Sequence, residues 1–187
     1  MNLKNYIAKI NDFFIKRVIE VFGLFLVIFS FLLMASFITY SPEDPNFINN
    51  VEVEINNILG FRGSYISDFF IQSFGLISFL IPITFFFKGI KIFKTKDLLS
   101  TINSLFFCVL YTTVGTVFFS IFYQDSFWLN NYGNGGFVGS YLTGIELASF
   151  LINDFKFSYY LYVLILLIFF FISIDINLKS FVFLVKI

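Results

Sequence analysis

Four stretches of this 187-residue chain, residues 21–40, 69–87, 98–123 and 157–174, contain no charged side chain. An α-helix rises 1.5 Å per residue, so about 20 mainly apolar residues cover the ~30 Å hydrocarbon core of a bilayer. Each stretch meets or approaches that length. In the whole chain 58% of residues are hydrophobic and only 13% charged, against roughly 25% charged in an ordinary soluble domain. That much apolar surface exceeds what one compact core of this size hides from water. The expected fold class is therefore an all-α membrane protein with four transmembrane helices, at about 21–40, 67–90, 98–123 and 157–174.

Basic residues are retained on the cytoplasmic side of a membrane, whereas acidic ones contribute little to orientation. Lys4, Lys9, Lys16 and Arg17 precede the first run, Lys88, Lys91, Lys94 and Lys96 lie between the second and third, and Lys179 and Lys186 follow the fourth. Only Arg62 and Lys156 fall on the other side. The count predicts both termini in the cytoplasm and residues of about 41–66 and 124–156 outside. The first run is too long for a signal peptide and no A-x-A-like cleavage site follows it, so it is read as a retained helix. Before it, Tyr6, Ile7, Ile10, Phe13, Phe14 and Val18 oppose charged positions. This spacing predicts an amphipathic cytoplasmic arm over residues 1–20, lying on the inner membrane surface. Residues 176–187 would be a cytoplasmic tail or the start of a linker.

Net charge is zero, which gives no overall electrostatic case for nucleic-acid binding. His is absent and Cys108 is the only thiol. Imidazole catalysis, His or Cys metal cages, Cys-His nucleophile pairs and intrachain disulfides are thereby excluded. No cofactor-binding, metal-binding or catalytic set is recognisable.

The loops and helix faces are more informative. Ser41-Pro42-Glu43-Asp44-Pro45 follows the first run. Its two prolines stop a helix there, and Ser41 and Asp44 can accept from nearby backbone donors. Gly60 and Gly63 precede Ser64, an N-cap residue type, predicting a helix that begins there and runs to about residue 93. On it Asp68, Gln72, Gly75, Ser78 and Pro82 recur at three- and four-residue spacing, and Pro82 predicts a bend near mid-membrane. Asp68 is read either as a carboxylate at the outer water interface or as a proton or ion site. On the third run Ser104, Cys108, Thr112, Thr116 and Ser120 stand at every fourth position with Gly115 beside them. Such a stripe lets another helix approach closely; a pore lining is the alternative. Gly133-Asn134-Gly135-Gly136-Phe137-Val138-Gly139-Ser140 lacks the preceding strand of a phosphate cradle and reads as a flexible turn entering a helix. The stripe Phe137, Tyr141, Leu142, Ile145, Ala148 and Leu151 then predicts a segment at the membrane surface or against the bundle. Trp128 and Tyr132 suit an interfacial aromatic belt.

Several of these pieces resemble, in the same order, the N-terminal membrane domain of the FtsK/SpoIIIE family of bacterial DNA translocases. They are Ser41 through Pro45, Asn57 through Gly63, Ser64 through Asp68 leading into Phe74 through Pro82, and Gly135 through Gly139. The resemblance covers roughly residues 20–175. It implies a domain that anchors and assembles a cytoplasmic hexameric motor at the division septum of a bacterial inner membrane. Its partners would be membrane lipid, further copies of the chain and other division-septum proteins. DNA and ATP would be met only through the motor. No G-x-x-x-x-G-K-[ST] phosphate loop occurs in these 187 residues, so the resemblance implies the anchor and not the ATPase. Arg62 stands where relatives usually carry an apolar residue or Pro, and Asp175 adds a charge at the end of the fourth span.

The leading expectation is a structural and interaction domain, not an enzyme, that oligomerises through the small-residue seams and meets partners through its outer loops. A small four-span transporter or channel subunit is the alternative. An intramembrane enzyme built on Ser104, Cys108 or Ser120 has no His or in-span Lys to take their protons.

Overall fold

The structure, a computed structural model, describes residues 3–46, 54–124, 129, 132–144 and 155–175. The described residues form α1 (Leu3–Ile38), α2 (Gly60–Phe74), a 3-10 segment (Gly75–Phe79), α3 (Leu80–Thr95), α4 (Leu99–Phe122), α5 (Gly136–Thr143) and α6 (Phe155–Ser173). Lys9–Ile38, Gly60–Thr95 and α4 are each long and apolar enough to cross a membrane, and Phe157–Ser173 is a shorter apolar helix. The fold is an all-α membrane architecture. Trp128 and the stripe positions Ile145, Ala148 and Leu151 lie outside the described residues.

The N-terminal arm and the first span are one uninterrupted helix of 36 residues, about 54 Å long at 1.5 Å per residue. Nothing near residue 20 breaks it, because neither a proline nor a pair of helix breakers occurs there. Instead Glu20 ties the helix sideways, pairing with Arg17 at 2.5 Å and with Lys96 beyond the end of α3 at 3.0 Å.

The second hydrophobic stretch is not one helix. Gly75 adopts φ +70°, a 3-10 segment follows, and α-geometry resumes only at Leu80. The bend expected at Pro82 is therefore displaced toward the N-terminus. Pro82 occupies the first turn of α3, where a missing N–H costs little, and the Ser78 carbonyl accepts from the Leu80 N–H instead. The break also turns the chain. Ser36 reaches Gly63 while the neighbouring Phe37 ring touches both Phe70 and Phe79, each at 5.7 Å between centroids. On one straight helix residues 63 and 79 would be about 24 Å apart. Helix α2 thus crosses the end of α1 and does not extend α3.

Two packing systems hold the bundle. Helix α1 packs chiefly on α3, and α4 on α6 and α5. The first contact is made backbone to backbone at Gly23 and Gly89. A Cβ on Gly23 would lie 2.7 Å from the Phe93 nitrogen, and one on Gly89 would lie 2.7 Å from the Gly23 oxygen. The systems meet at Tyr111, which is fully buried. Its hydroxyl lies 3.0 Å from Thr84 Oγ1 and 3.3 Å from Cys108 Sγ, and Ser173 Oγ donates to Thr84 Oγ1 at 3.2 Å. One polar chain thereby joins α3, α4 and α6, each link worth about 0.6 kcal/mol in a bilayer.

Candidate interaction site at the loop end

At the end of the bundle away from the lysine-rich turn, three sequence segments close into one hydrogen-bonded clasp. Asp44 is 2% exposed. Its Oδ1 accepts from the backbone N–H and the Nδ2 of Asn56, at 2.9 and 3.1 Å, and its Oδ2 from the Asn57 N–H at 2.9 Å. Asn57 in turn donates Nδ2 to the Ser36 carbonyl at 2.9 Å and to Ser67 Oγ at 3.3 Å, while its Oδ1 receives the Leu59 N–H. Ser36 Oγ donates to the Gly63 carbonyl at 2.7 Å, and Ser64 Oγ donates to the Pro45 carbonyl. A Cβ on Gly63 would lie 2.1 Å from Asn57 Oδ1 and 2.6 Å from Leu59 Cβ, so a larger residue there would displace the Asn57 side chain from its bonds.

This arrangement amends two expectations. Helix α2 begins at Gly60, which has φ +61°. Ser64 is therefore inside its second turn, freed from capping to hold Pro45. Asp44 bonds donors twelve and thirteen residues away, and only Ser41 acts locally, its hydroxyl accepting from the Glu43 N–H at 3.4 Å. Pro42 is exposed on the rim. Asp68 is not bathed in water either. It is 7% exposed, and its Oδ1 accepts from the Tyr40 hydroxyl at 3.2 Å, which itself accepts from Gln72 Nε2 at 3.0 Å. Arg62 is exposed beside the clasp and takes no part in it.

The glycine loop is docked, not a free turn. Gly75 gives the chain its break, and the Leu76 N–H exposed by it donates to the Asn134 carbonyl at 2.9 Å. A Cβ on Gly75 would lie 2.0 Å from that same oxygen. On Gly136, with φ +67°, it would lie 2.6 Å from the Gly75 nitrogen. On Gly135 and Gly139 it would lie 2.0 and 2.3 Å from Ser120 Oγ. The glycine face of α5 therefore rests on Thr116 and Ser120 of α4. Phe137 and Tyr141 stay exposed, and Phe137 packs edge-on against Tyr132 at 5.4 Å. Of the two placements expected for the apolar stripe, at the membrane surface or against the bundle, its described members Phe137 and Tyr141 face away from the bundle, because the glycines permit the closer approach.

The stripe on α4, Ser104, Cys108, Thr112, Thr116 and Ser120, is buried at every position. From Thr112 to Ser120 it is used within the chain. Thr116 and Ser120 receive α5, Gly115 receives Ile77, and Thr112 donates back to the Cys108 carbonyl at 2.8 Å. Reading the sequence missed Asn57 as the hub of the clasp, Gly23 and Gly89 as the α1–α3 contact, and Tyr111 as the internal junction. Gly23 and Gly89 carried a readable signal, since an isolated glycine in an apolar helix marks close approach. At the opposite end, Asp175 pairs with Lys88 at 2.8 Å and with Lys91. Partial burial works against its ionisation, but the two ammonium groups prevail and hold the carboxyl below its ordinary value.

Removing the Asp44 carboxylate strands two backbone N–H groups. Asp44→Ala is expected to cost about 3 kcal/mol, read as a lowered unfolding temperature in detergent. Asp44→Asn should recover part of the loss, because its amide oxygen still accepts.

Comparison with known proteins identifies a membrane-domain family. The family described as the 4TM region of DNA translocase FtsK/SpoIIIE matches residues 15–185. Three curated relatives bear the name DNA translocase FtsK. That of Rickettsia bellii is 39% identical over 59 residues, 32% of this chain and 8% of its own length. That of Rickettsia typhi is 45% identical over 53 residues, 28% of this chain and 7% of its own. That of Rickettsia prowazekii is 36% identical over 81 residues, 41% of this chain and 11% of its own. The matched segments thus span about a tenth of those relatives. No solved structure matches. With all but the first fourteen and last two residues inside the family match, the chain belongs to the family of the membrane-spanning 4TM region of FtsK/SpoIIIE DNA translocases.

Proposed function

We propose that this chain is the membrane-anchoring and assembly domain of a cell-division DNA translocase, acting in chromosome segregation at the septum. The observation that carries the reading is the clasp. Three of the segments that resemble the family, Ser41–Pro45, Asn57–Gly63 and Ser64–Asp68, are bonded to one another at this loop end. Such a construction presents a fixed surface to partners and does no chemistry. Among the described charged residues that end carries Glu43, Asp44, Glu54 and Asp68 against Arg62, while the lysine-rich end carries seven basic side chains against four acidic ones. The asymmetry supports both termini lying in the cytoplasm. Asp175, pinned at the lysine-rich end, then fixes where the chain leaves its last span toward a motor, through which alone DNA and ATP would be engaged.

Self-assembly, into a hexamer by family resemblance, has to use faces other than the α4 stripe, which is buried within the chain. Exposed apolar positions on α1 (Ile28, Phe31) and α4 (Phe106, Val109) are available. A discontinuous helix is also a feature of transporters, which gives the four-span carrier its one favourable observation. Here the break is plugged by the Asn134 carbonyl and bears no ionisable group, so the anchor reading is preferred.

The test is a fluorescent fusion in a dividing bacterium. Enrichment at midcell, multimers on cross-linking in membranes, and opposite-side labelling of Glu43→Cys and Lys91→Cys are expected. Uniform membrane distribution with strictly monomeric protein, or saturable solute flux in proteoliposomes, would overturn the reading.

A further inference from the structure

Between α1, α3 and α4, toward the lysine-rich end, lies a cavity of about 310 Å³. Its walls are Phe22, Phe25 and Phe29 of α1, Phe85 and Lys88 of α3, and Ser104 of α4 among others. A cavity of about 150 Å³ accepts benzene, so this one holds considerably more. From Phe22 to Phe29 it extends about 10 Å along the helix axis. Its form follows from the packing. Helix α1 is held on α3 by the Gly23–Gly89 contact and α4 packs chiefly on α6 and α5, so a cleft opens between α1 and α4 over α3.

Two further observations identify an occupant. Ser104, only 1% exposed, lines the cavity with a hydroxyl that has no partner among the described residues, and Thr101 beside it is in the same position. The wall is therefore underfilled and not a finished core. Lys88, paired with Asp175, also lines the cavity, and Lys91, which shares that carboxylate, and the exposed Lys94 follow it at three-residue spacing toward the helix end. The basic side chains of this end exceed the acidic ones by three, seven against four, among the described residues. An apolar slot at membrane depth that opens beneath a surplus of positive charge matches one class of molecule.

We propose that the cavity is a binding site for an anionic phospholipid, one acyl chain entering between α1 and α4 and the phosphate remaining at the lysine row. The inference rests on the membrane fold and the cavity alone, and holds whether or not the chain acts at a septum. Lipid held there would wedge α1 against α4 and make the packing of the bundle depend on the charge of the surrounding membrane.

The test supplies the protein in proteoliposomes with equal phosphatidylglycerol and phosphatidylethanolamine, extracts it in mild detergent, and measures the lipid retained by native mass spectrometry. Phosphatidylglycerol should be retained roughly tenfold over phosphatidylethanolamine. Ser104→Phe and, from the opposite wall, Leu26→Trp fill the cavity, and each should reduce the retained lipid roughly tenfold. Ile102→Phe places the same ring on the exposed side of α4 and should retain lipid as the parent does. Helical circular dichroism and melting temperature are measured alongside, and a filled variant that unfolds is replaced by the other. Undiminished phosphatidylglycerol in a folded filled variant, equal retention of the two lipids, or no retained lipid in the parent would overturn the proposal.

Discussion

Gly75→Ala should destabilise this domain by about 3 kcal/mol or more. Two costs combine. The residue has φ +70°, a conformation that penalises an L side chain by roughly 1–2 kcal/mol. The added methyl would also lie 2.0 Å from the Asn134 oxygen and 2.8 Å from the Gly135 carbonyl carbon. Those are backbone atoms of the docked loop, and they yield only if the loop lifts. The variant is therefore expected to lose its Leu76 to Asn134 hydrogen bond, to melt early in detergent, and to become sensitive to protease between residues 124 and 144. Gly60→Ala separates the two costs. Gly60 shares the left-handed backbone, at φ +61°, but a Cβ there meets nothing within 4 Å, so only about 1 kcal/mol is expected. If the two substitutions were equally damaging, strain alone would explain both and the docking of the loop on Gly75 would be refuted.

The contrast also shows which parts of the fold are legible in a one-dimensional reading. Hydrophobic runs without charge locate the spans because lipid imposes that requirement on each segment separately. The break at Gly75 is different in kind. It depends on Asn134, far along the chain, and helical periodicity carries no trace of such a partner. Pro82 is a helix breaker by type, yet in a first turn it breaks nothing. Ser64 has the chemistry of a cap but is recruited by the Pro45 carbonyl, and the glycines from Gly133 to Gly139 have the composition of a flexible loop while serving as a tight contact. At the candidate site the residue types were legible and their partners were not. Asp44 was recognisable as an acceptor, whereas its donors at Asn56 and Asn57 follow from tertiary closure.

Asp175→Asn should weaken the opposite end of the bundle and change its response to acid. Lys88 has a side chain only 3% exposed, and its ammonium is held by Asp175 at 2.8 Å and by the Ser100 carbonyl at 3.3 Å. Stranding a buried charge typically costs 3–5 kcal/mol. Here the Asp175 side chain is 38% exposed, so water enters beside it and an amide oxygen remains, which lowers the expectation to about 1–2 kcal/mol. The cost should depend on Lys88. In Lys88→Met, where an apolar chain replaces the buried ammonium, the further change Asp175→Asn should cost well under 1 kcal/mol. An additive cycle would show that the pair does not hold α3 to the end of α6. The same pair sets the response to acid. Lys88 and Lys91 lower the carboxyl in the folded protein relative to the unfolded chain, so its contribution is complete above the unfolded value of about 3.9. It is lost as pH falls through the lower folded value. Stability at pH 7 should therefore include the whole term, the parent should weaken on acidification below about pH 4, and Asp175→Asn should show a flatter acid limb. An identical acid limb in parent and variant would mean that other carboxylates govern that response and that Asp175 is a bystander at the exit of the last span.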